Sequence, residues 1–474
     1  MNLTEISIKE YHRALLEGRL STEKLLDYFL ERIEKYDKKI NSIIAVNPSI
    51  REEAKKMDKH LKENGLVGPL HGVFVLVKDN IETKDMPTTA GSKSLEDFNS
   101  GKDAFILENL RKQGALVIAK ANLHEFAIWG ETISSILGQT YNPYDLTRTP
   151  GGSSGGTGAG LACDFAMIGI GTDTINSVRS PSSANSLYGL RPTLGLLSAT
   201  GIVPYSLTQD TAGPMAKNVD DLEIMFDAMR GYDEKDEATY SSYLLKRFKN
   251  YSGIKGKKLG LLKSLFGKKE ENEEVNVAVN SAVERFKKLG VEIVEIDDNI
   301  DSVYLSSNVS VHLYDLKADL EEYLKSNSVK YDTIEKILES GKHHEGIKEN
   351  LMKASKLEQG SEEYVERRKK AKELVTKLLH IFEENKIEGL VYPHQQQLVC
   401  KAGKSQLERN GVLASVTGFP SIAMPAGFSS ANEDAPLGVP VGFEILGRPY
   451  EDKKLIQIAK EYERAFGPRV KPNL

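Results

Sequence analysis

Cysteine is nearly absent from this chain: 474 residues contain two, Cys163 and Cys400. Two thiols cannot build a disulfide framework and are too few for a cysteine metal site, so reduced thiols in a cytosolic protein are expected. Long apolar runs are missing as well. No segment approaches the ~18 consecutive apolar residues that a membrane-crossing helix needs. The opening residues, M-N-L-T-E-I-S-I-K-E, lack both the apolar stretch and the cleavage site of a signal peptide. A cytoplasmic protein with no membrane span is therefore expected. Neither sign of charge is in large excess: 63 basic and 68 acidic residues give a formal charge of −5. That balance offers nucleic acid or an anionic membrane no basis as the main partner. The sequence also lacks internal repeats, a proline-rich linker and any low-complexity tract. Nothing in it speaks for or against a homo-oligomer.

What is present reads as an α/β protein in one large domain. Residues 1–65 are expected to be helical, opening with the Ser7/Glu10 capping box and continuing with Leu25, Leu26, Phe29, Leu30 and Ile33 at helical spacing. Residues 68–219 alternate short apolar runs (Val73–Val77, Ala115–Ala119, Phe165–Ile170) with helical segments and Gly/Ser/Thr loops. Continuous apolar runs suit strands buried on both faces of a sheet flanked by helices. Residues 232–390 are charge-rich and read as a helical insertion, interrupted by strands at Lys258–Leu262 and Glu292–Ile296. Within it, the long periodic stretch Asp315–Leu379 is expected to be a solvated helical layer. Residues 391–474 return to strands (Ile422–Met424, Val441–Ile445) and a final helix, Asp452–Phe466.

Three stretches could carry chemistry. Thr149–Gly160 reads T-P-G-G-S-S-G-G-T-G-A-G. A phosphate loop would need lysine where Thr157 stands, and a dinucleotide fingerprint would need glycine at Leu161, so both fail. The nucleophile-elbow pattern is met by Gly151, Ser153 and Gly155, but the residues before it, N-P-Y-D-L-T-R-T-P, are not a buried strand. A structural glycine loop is the plain alternative. The second stretch, G-T-D-T-I-N-S-V-R-S-P, places Ser177 after an apolar run, with Asp173 and Arg179 able to pair internally. The third is Lys78, at the end of the run Val73–Val77. Burial disfavours its charged form and can make it a base near neutrality. Together, one lysine and two serines can assemble a metal-free acyl-transfer site.

The strings G-P-L-H-G-V-F-V-L-V-K-D-N, G-A-L-V-I-A-K-A-N-L-H-E-F-A, P-G-G-S-S-G-G and G-T-D-T-x-x-S-x-R-x-P resemble the amidase signature family. The resemblance is close over about residues 68–219 and returns at Gly418–Gly427 and Pro440–Arg448. It implies that family's fold, a mixed central sheet flanked by helices, and a Ser–cis-Ser–Lys triad that cleaves linear amides without a cofactor or metal. By position the nucleophile is Ser177, the bridging serine Ser153 after a cis Gly152–Ser153 peptide, and the base Lys78. Backbone N–H groups of Thr174, Ile175, Asn176 and Ser177 would hold the oxyanion. Ser154, Asp173 and Arg179 would support the site.

The chain departs from the family at Ile175-Asn176, where most relatives have Gly-Gly. Asn tolerates left-handed backbone and Ile does not readily, but the turn can still form with both residues at negative φ. Trp129 and Glu131 are candidates for the substrate mouth, and Tyr392–Gln397 for a cleft-facing stretch. His124 and Glu125 are expected to be local structure, and His343-His344 a surface pair rather than a metal site. The expected function is hydrolysis of a small-molecule amide. Its alternatives are the glutaminase component of a tRNA-dependent amidotransferase, which needs a partner subunit, and a non-catalytic binding protein on the same fold.

Overall fold

The computed structural model describes residues 2–240, 242, 251 and 253–474. Thirteen strands occur among these residues: β1 Ile43–Val46, β2 Phe74–Lys78, β3 Leu116–Ala121, β4 Ile133–Ser134, β5 Gly138–Gln139, β6 Ile168–Asp173, β7 Tyr188–Arg191, β8 Thr211–Ala216, β9 Lys258–Leu262, β10 Glu292–Ile296, β11 Leu390–Pro393, β12 Ser421–Phe428 and β13 Pro440–Leu446. Apart from the small β4–β5 pair they form one mixed sheet in the order β1-β3-β2-β6-β8-β7-β12-β13-β11-β9-β10. The trio β3-β2-β6 is parallel, as is β11-β9-β10, and the strands between them are antiparallel. Helices pack on this sheet: Gly155–Ala162 on β2 and β6, Val219–Met229 on β8, and Glu273–Lys288 and Asp452–Phe466 on β12.

The all-apolar strands behave as their composition demands. Every residue of β2, β3 and β6 is buried. The parallel β2–β6 ladder pairs Val77 with Ile170, which brings Lys78 and Thr172–Asp173 to the same carboxyl edge. In open α/β sheets that edge is where ligands bind.

Three expectations need correction. Residues 1–65 are not wholly helical: the helix Thr22–Ile40 stops at left-handed Asn41, and β1 then pairs antiparallel with β3. Four residues with one buried side chain leave no period to read. The Gly/Ser-rich segment is not all loop, because Gly155–Ala162 is a helix buried throughout. Its glycines seat backbone against backbone: a Cβ on Gly156 would lie 2.3 Å from the Asn122 carbonyl oxygen. Nor is Asp315–Leu379 a solvated layer. It divides into His312–Ser326, Ile334–Ser340, Lys348–Ala354 and the start of Glu362–Asn385. The first three bury Leu316, Leu320, Leu324, Ile337 and Leu351 against Phe126, Ile128 and Tyr205. The last buries Ala371, Leu378 and Phe382 along its 24 residues. The segment 232–390 also supplies β9 and β10, so part of it belongs to the sheet itself.

Gly156→Ala should lower the thermal unfolding midpoint, because overpacking of this kind costs ~1–3 kcal/mol. A midpoint equal to wild type would mean that the helix does not sit flush on Asn122.

Candidate active site

The side chain of Lys78 is fully buried. Its Nζ donates to Ser153 Oγ at 2.8 Å and to Thr172 Oγ1 at 2.7 Å, and no carboxylate among the described residues pairs with it. Burial in this hydroxyl-lined space pulls the amine down to about 7, with the carboxylates of Asp210 and Asp173 acting in the opposite sense. An amine so placed is available in its neutral form near neutral pH. The Gly152–Ser153 peptide is cis. Ser154 stands under it: its Oγ donates to the Thr172 carbonyl at 3.2 Å and accepts from Thr172 N at 3.3 Å. The Ser154 N–H donates to the Ser177 carbonyl at 3.2 Å, which ties the two serine segments together.

Ile175 and Asn176 replace glycines without adopting left-handed backbone. Two carbonyls of this turn are held from outside. Ser415 Oγ donates to the Thr174 carbonyl, and Arg179 Nη2 donates to the Ile175 carbonyl at 2.7 Å. In a trans peptide the next N–H points the opposite way. The N–H groups of Thr174, Ile175, Asn176 and Ser177 accordingly have no acceptor among the described residues. Thr174 to Ser177 line a cavity of about 450 Å³, a size usual for small-molecule sites.

Beneath the turn lies a buried charge network. Asp173 accepts from Arg179 Nη2 at 2.9 Å, from Arg191 Nη1 at 2.8 Å and from Val178 N at 3.1 Å. Arg179 Nη1 also donates to Glu444 at 2.6 Å. Glu444 accepts from Tyr392 Oη and Ser421 Oγ, and His394 Nδ1 lies 2.6 Å from its other oxygen. Burial alone would raise both carboxyls, but the guanidiniums outweigh it. Asp173 stays well below the usual carboxylate range and Glu444 near 2. Asp173 and Arg179 thus pair with each other beneath the turn. Tyr392 and His394, expected at the cleft, are buried in this network instead.

Trp129 lines the cavity, with its Nε1 donating to Asn350 at 2.9 Å. Glu131 does not line it. Its carboxylate accepts from Gly130 N and Gln406 N and pairs with His124 Nδ1 at 3.3 Å. Burial would raise that carboxyl, yet the bond to His124 and the charge of Arg409 bring it down to about 2. Glu125 takes N–H bonds from Ser135 and His344, and burial pushes it up to about 7. His343 and His344 join no metal-binding group among the described residues. Asp210 and Arg409 carry no signal along the chain that marks them as part of a site and meet it only through the fold. Thr172 and Glu444 lie within stretches that carry the resemblance, Gly171–Pro181 and Pro440–Arg448.

The Amidase family model matches residues 24–456, and the chain belongs to that family, the amidase signature enzymes. It is thus an amidase, an enzyme acting on the carbon–nitrogen bonds of amides. The A subunit of glutamyl-tRNA(Gln) amidotransferase from Caldanaerobacter subterraneus subsp. tengcongensis is 30% identical, with 100% of this chain and 99% of that protein covered. Native peptide amidase from Stenotrophomonas maltophilia is 28% identical and superposes with a TM-score of 0.88, covering 98% of each chain. The corresponding amidotransferase subunit of Thermotoga maritima is 25% identical, with a TM-score of 0.77 over 100% of this chain and 99% of that one.

A buried amine shifted from 10.5 to about 7 costs the folded state. Between those values the unfolded chain binds the extra proton, so wild-type stability rises with pH across the window. At and below about pH 7 the whole penalty, on the order of 5 kcal/mol, is present. Lys78→Met should therefore unfold at a higher temperature than wild type at pH 7, with the gap closing towards pH 10. A variant that melts lower at every pH would show that the amine stabilises the fold.

Proposed function

We propose that the protein hydrolyses a small-molecule linear amide to acid plus ammonia or amine through a Ser177 acyl-enzyme. The observation that carries this reading is the Lys78 amine, buried, without a carboxylate partner and 2.8 Å from Ser153 Oγ. Neutral Lys78 draws a proton from Ser177 through Ser153. Ser177 Oγ attacks the amide carbonyl, and the oxygen that becomes negative is taken by the N–H groups of Thr174 to Ser177. One such donor is typically worth ~10²–10³ in rate. The proton returns through Ser153 to the leaving nitrogen as the C–N bond breaks. Water, activated by the same relay, then attacks the ester, releases the acid and restores Ser177. No step calls for a metal or cofactor. Ser154, Asp173 and Arg179 hold the two serine segments and the turn in place, and Trp129 contacts substrate. The reading places the enzyme in the cytoplasm.

The fit to the peptide amidase structure, tighter than that to the Thermotoga protein, supports a stand-alone hydrolase. The full-length similarity to the amidotransferase component supports a second reading, a glutaminase that works with a partner protein. Release of ammonia from L-glutamine only when a partner protein is added would favour the second.

Ser177→Ala should cost ~10⁴-fold or more in amide turnover, as loss of a triad nucleophile does, with a melting temperature close to wild type. Full turnover in that variant would remove Ser177 from its role. The kcat/KM profile should rise through an apparent pKa near 7 as Lys78 loses its proton. A flat profile from pH 5 to 9 would reject Lys78 as the base.

A further inference from the structure

We propose that the site selects amides that carry a carboxylate, bound by Arg409 against the face of Trp129. The inference rests on Ser177 being the reacting end of this cavity. The same cavity that is lined by Ser177 is lined by Arg409, Trp129, His312, Asn350 and Lys353.

The Arg409 guanidinium lies over the Trp129 ring, 5.4 Å from its centroid. Among the described residues it has no hydrogen-bond or ion-pair partner. Glu408 is committed to Lys269 at 2.7 Å, and Glu131, whose carboxyl feels the Arg409 charge, is bonded to His124, Gly130 N and Gln406 N. Arg367, another cation of this region, is satisfied by Glu363 at 2.8 Å. Lys353, like Arg409, has no carboxylate partner among the described residues. One acidic residue lines the cavity, Glu349, which is exposed on the same short helix as Lys353. His312 does not add charge. Burial, together with Arg409, Arg367 and Lys353, holds it neutral, down to about 3.

A guanidinium stacked on an aromatic ring keeps its edge N–H groups free for a planar anion, and a carboxylate matches that edge with two parallel hydrogen bonds. Placement supports the same use. A Cβ built on Gly130 would lie 3.2 Å from Arg409 Nη1 and 3.7 Å from the Gly152 carbonyl oxygen, so the guanidinium stands beside the cis peptide that carries Ser153. Glycine at 130 leaves that approach open. A small substrate can then span from Arg409 to the Ser177 hydroxyl. The carboxylate could belong to the acyl part, as in a dicarboxylic acid monoamide, or to the leaving amine, as in an N-acyl amino acid.

Trp129 is the one tryptophan of the chain, so intrinsic tryptophan fluorescence reports on this contact alone and needs no turnover. Wild-type protein titrated with glutarate, N-acetylglycine and the neutral glutaramide should show a saturable fluorescence change with at least one of the two carboxylates, at tenfold or more lower concentration than with glutaramide. Glutarate winning points to an acyl-side carboxylate and N-acetylglycine to the leaving group. Arg409→Met should weaken that binding at least tenfold, the usual worth of a charge-assisted hydrogen bond, and Arg409→Lys should restore part of it. In turnover, the kcat/KM ratio of glutaramate to glutaramide, or of N-acetylglycine to N-methylacetamide, should fall by at least tenfold in Arg409→Met.

A wild-type protein that hydrolyses neutral and carboxylated amides equally overturns the proposal and leaves the amidase reading standing. Carboxylate binding that is lost in Arg409→Met, in a protein that turns over no amide, upholds the anion site and overturns the reaction assigned to Ser177. No fluorescence response to either carboxylate, or equal affinity in folded Arg409→Met, overturns the anion site.

Discussion

An amine without a counter-charge, sealed among hydroxyls, is the constraint on which the rest of this structure depends. Lys78 gains 2.7–2.8 Å bonds to Thr172 and Ser153 but no carboxylate among the described residues. Burial without a paired charge is what makes a lysine basic at a useful pH. The surroundings are built to keep it so. β2, β3 and β6 are buried throughout, and the Gly-rich helix 155–162 lies flush against β2 and β6. The nearby Asp79 pairs with Lys120 at 3.3 Å and so does not neutralise Lys78.

The buried ion network does the complementary work for the nucleophile turn. Asp173, Arg179, Arg191 and Glu444 balance one another, two positive against two negative. Breaking such a cluster by removing one partner leaves an uncompensated buried charge, which is costly. Its use here is directional. Arg179 holds the Ile175 carbonyl and so turns the following N–H away from the network. That explains how Ile175 and Asn176 can stand where glycines are usual: the turn is fixed by its carbonyls and needs no left-handed residue.

The cavity's far wall has a different origin. The helices of residues 301–385 carry Ser306, His312, Asn350 and Lys353 to the Ser177 cavity, and the apolar faces of His312–Ser326, Ile334–Ser340 and Lys348–Ala354 form a second core on Phe126 and Ile128. On the proposed reading the chemistry comes from the sheet edge and the selectivity from the cavity wall, which the helical cover shares with Trp129 and Arg409. In this division, enzymes that share the first can differ in the second.

Much of this was legible along the chain, for reasons of range. Apolar runs of five or six residues announced β2, β3 and β6, since strands buried on both faces can carry no alternation. The Ser7/Glu10 box and the final helix, Asp452–Phe466, are set by bonds within a turn or two. The residues of the proposed triad could be named because the motifs that carry the family resemblance are continuous. β1 could not be read, because a four-residue edge strand exists only through its pairing with β3. The segment Asp315–Leu379 misleads because charge on one helix face says nothing about what covers the other.

The sequence by itself, through its resemblance to the amidase signature strings, pointed to the residues proposed to supply the amine, the two hydroxyls and the backbone turn, since those strings are continuous in the chain. Only the tertiary structure decided that the amine has no carboxylate partner among the described residues, that Glu444 lies beneath a turn 267 positions earlier at Ser177, and that Arg409 lines the same cavity as Ser177. Charge state and proximity are set by what the fold packs around a group, and strands brought together from distant parts of the chain carry no local signature of that meeting.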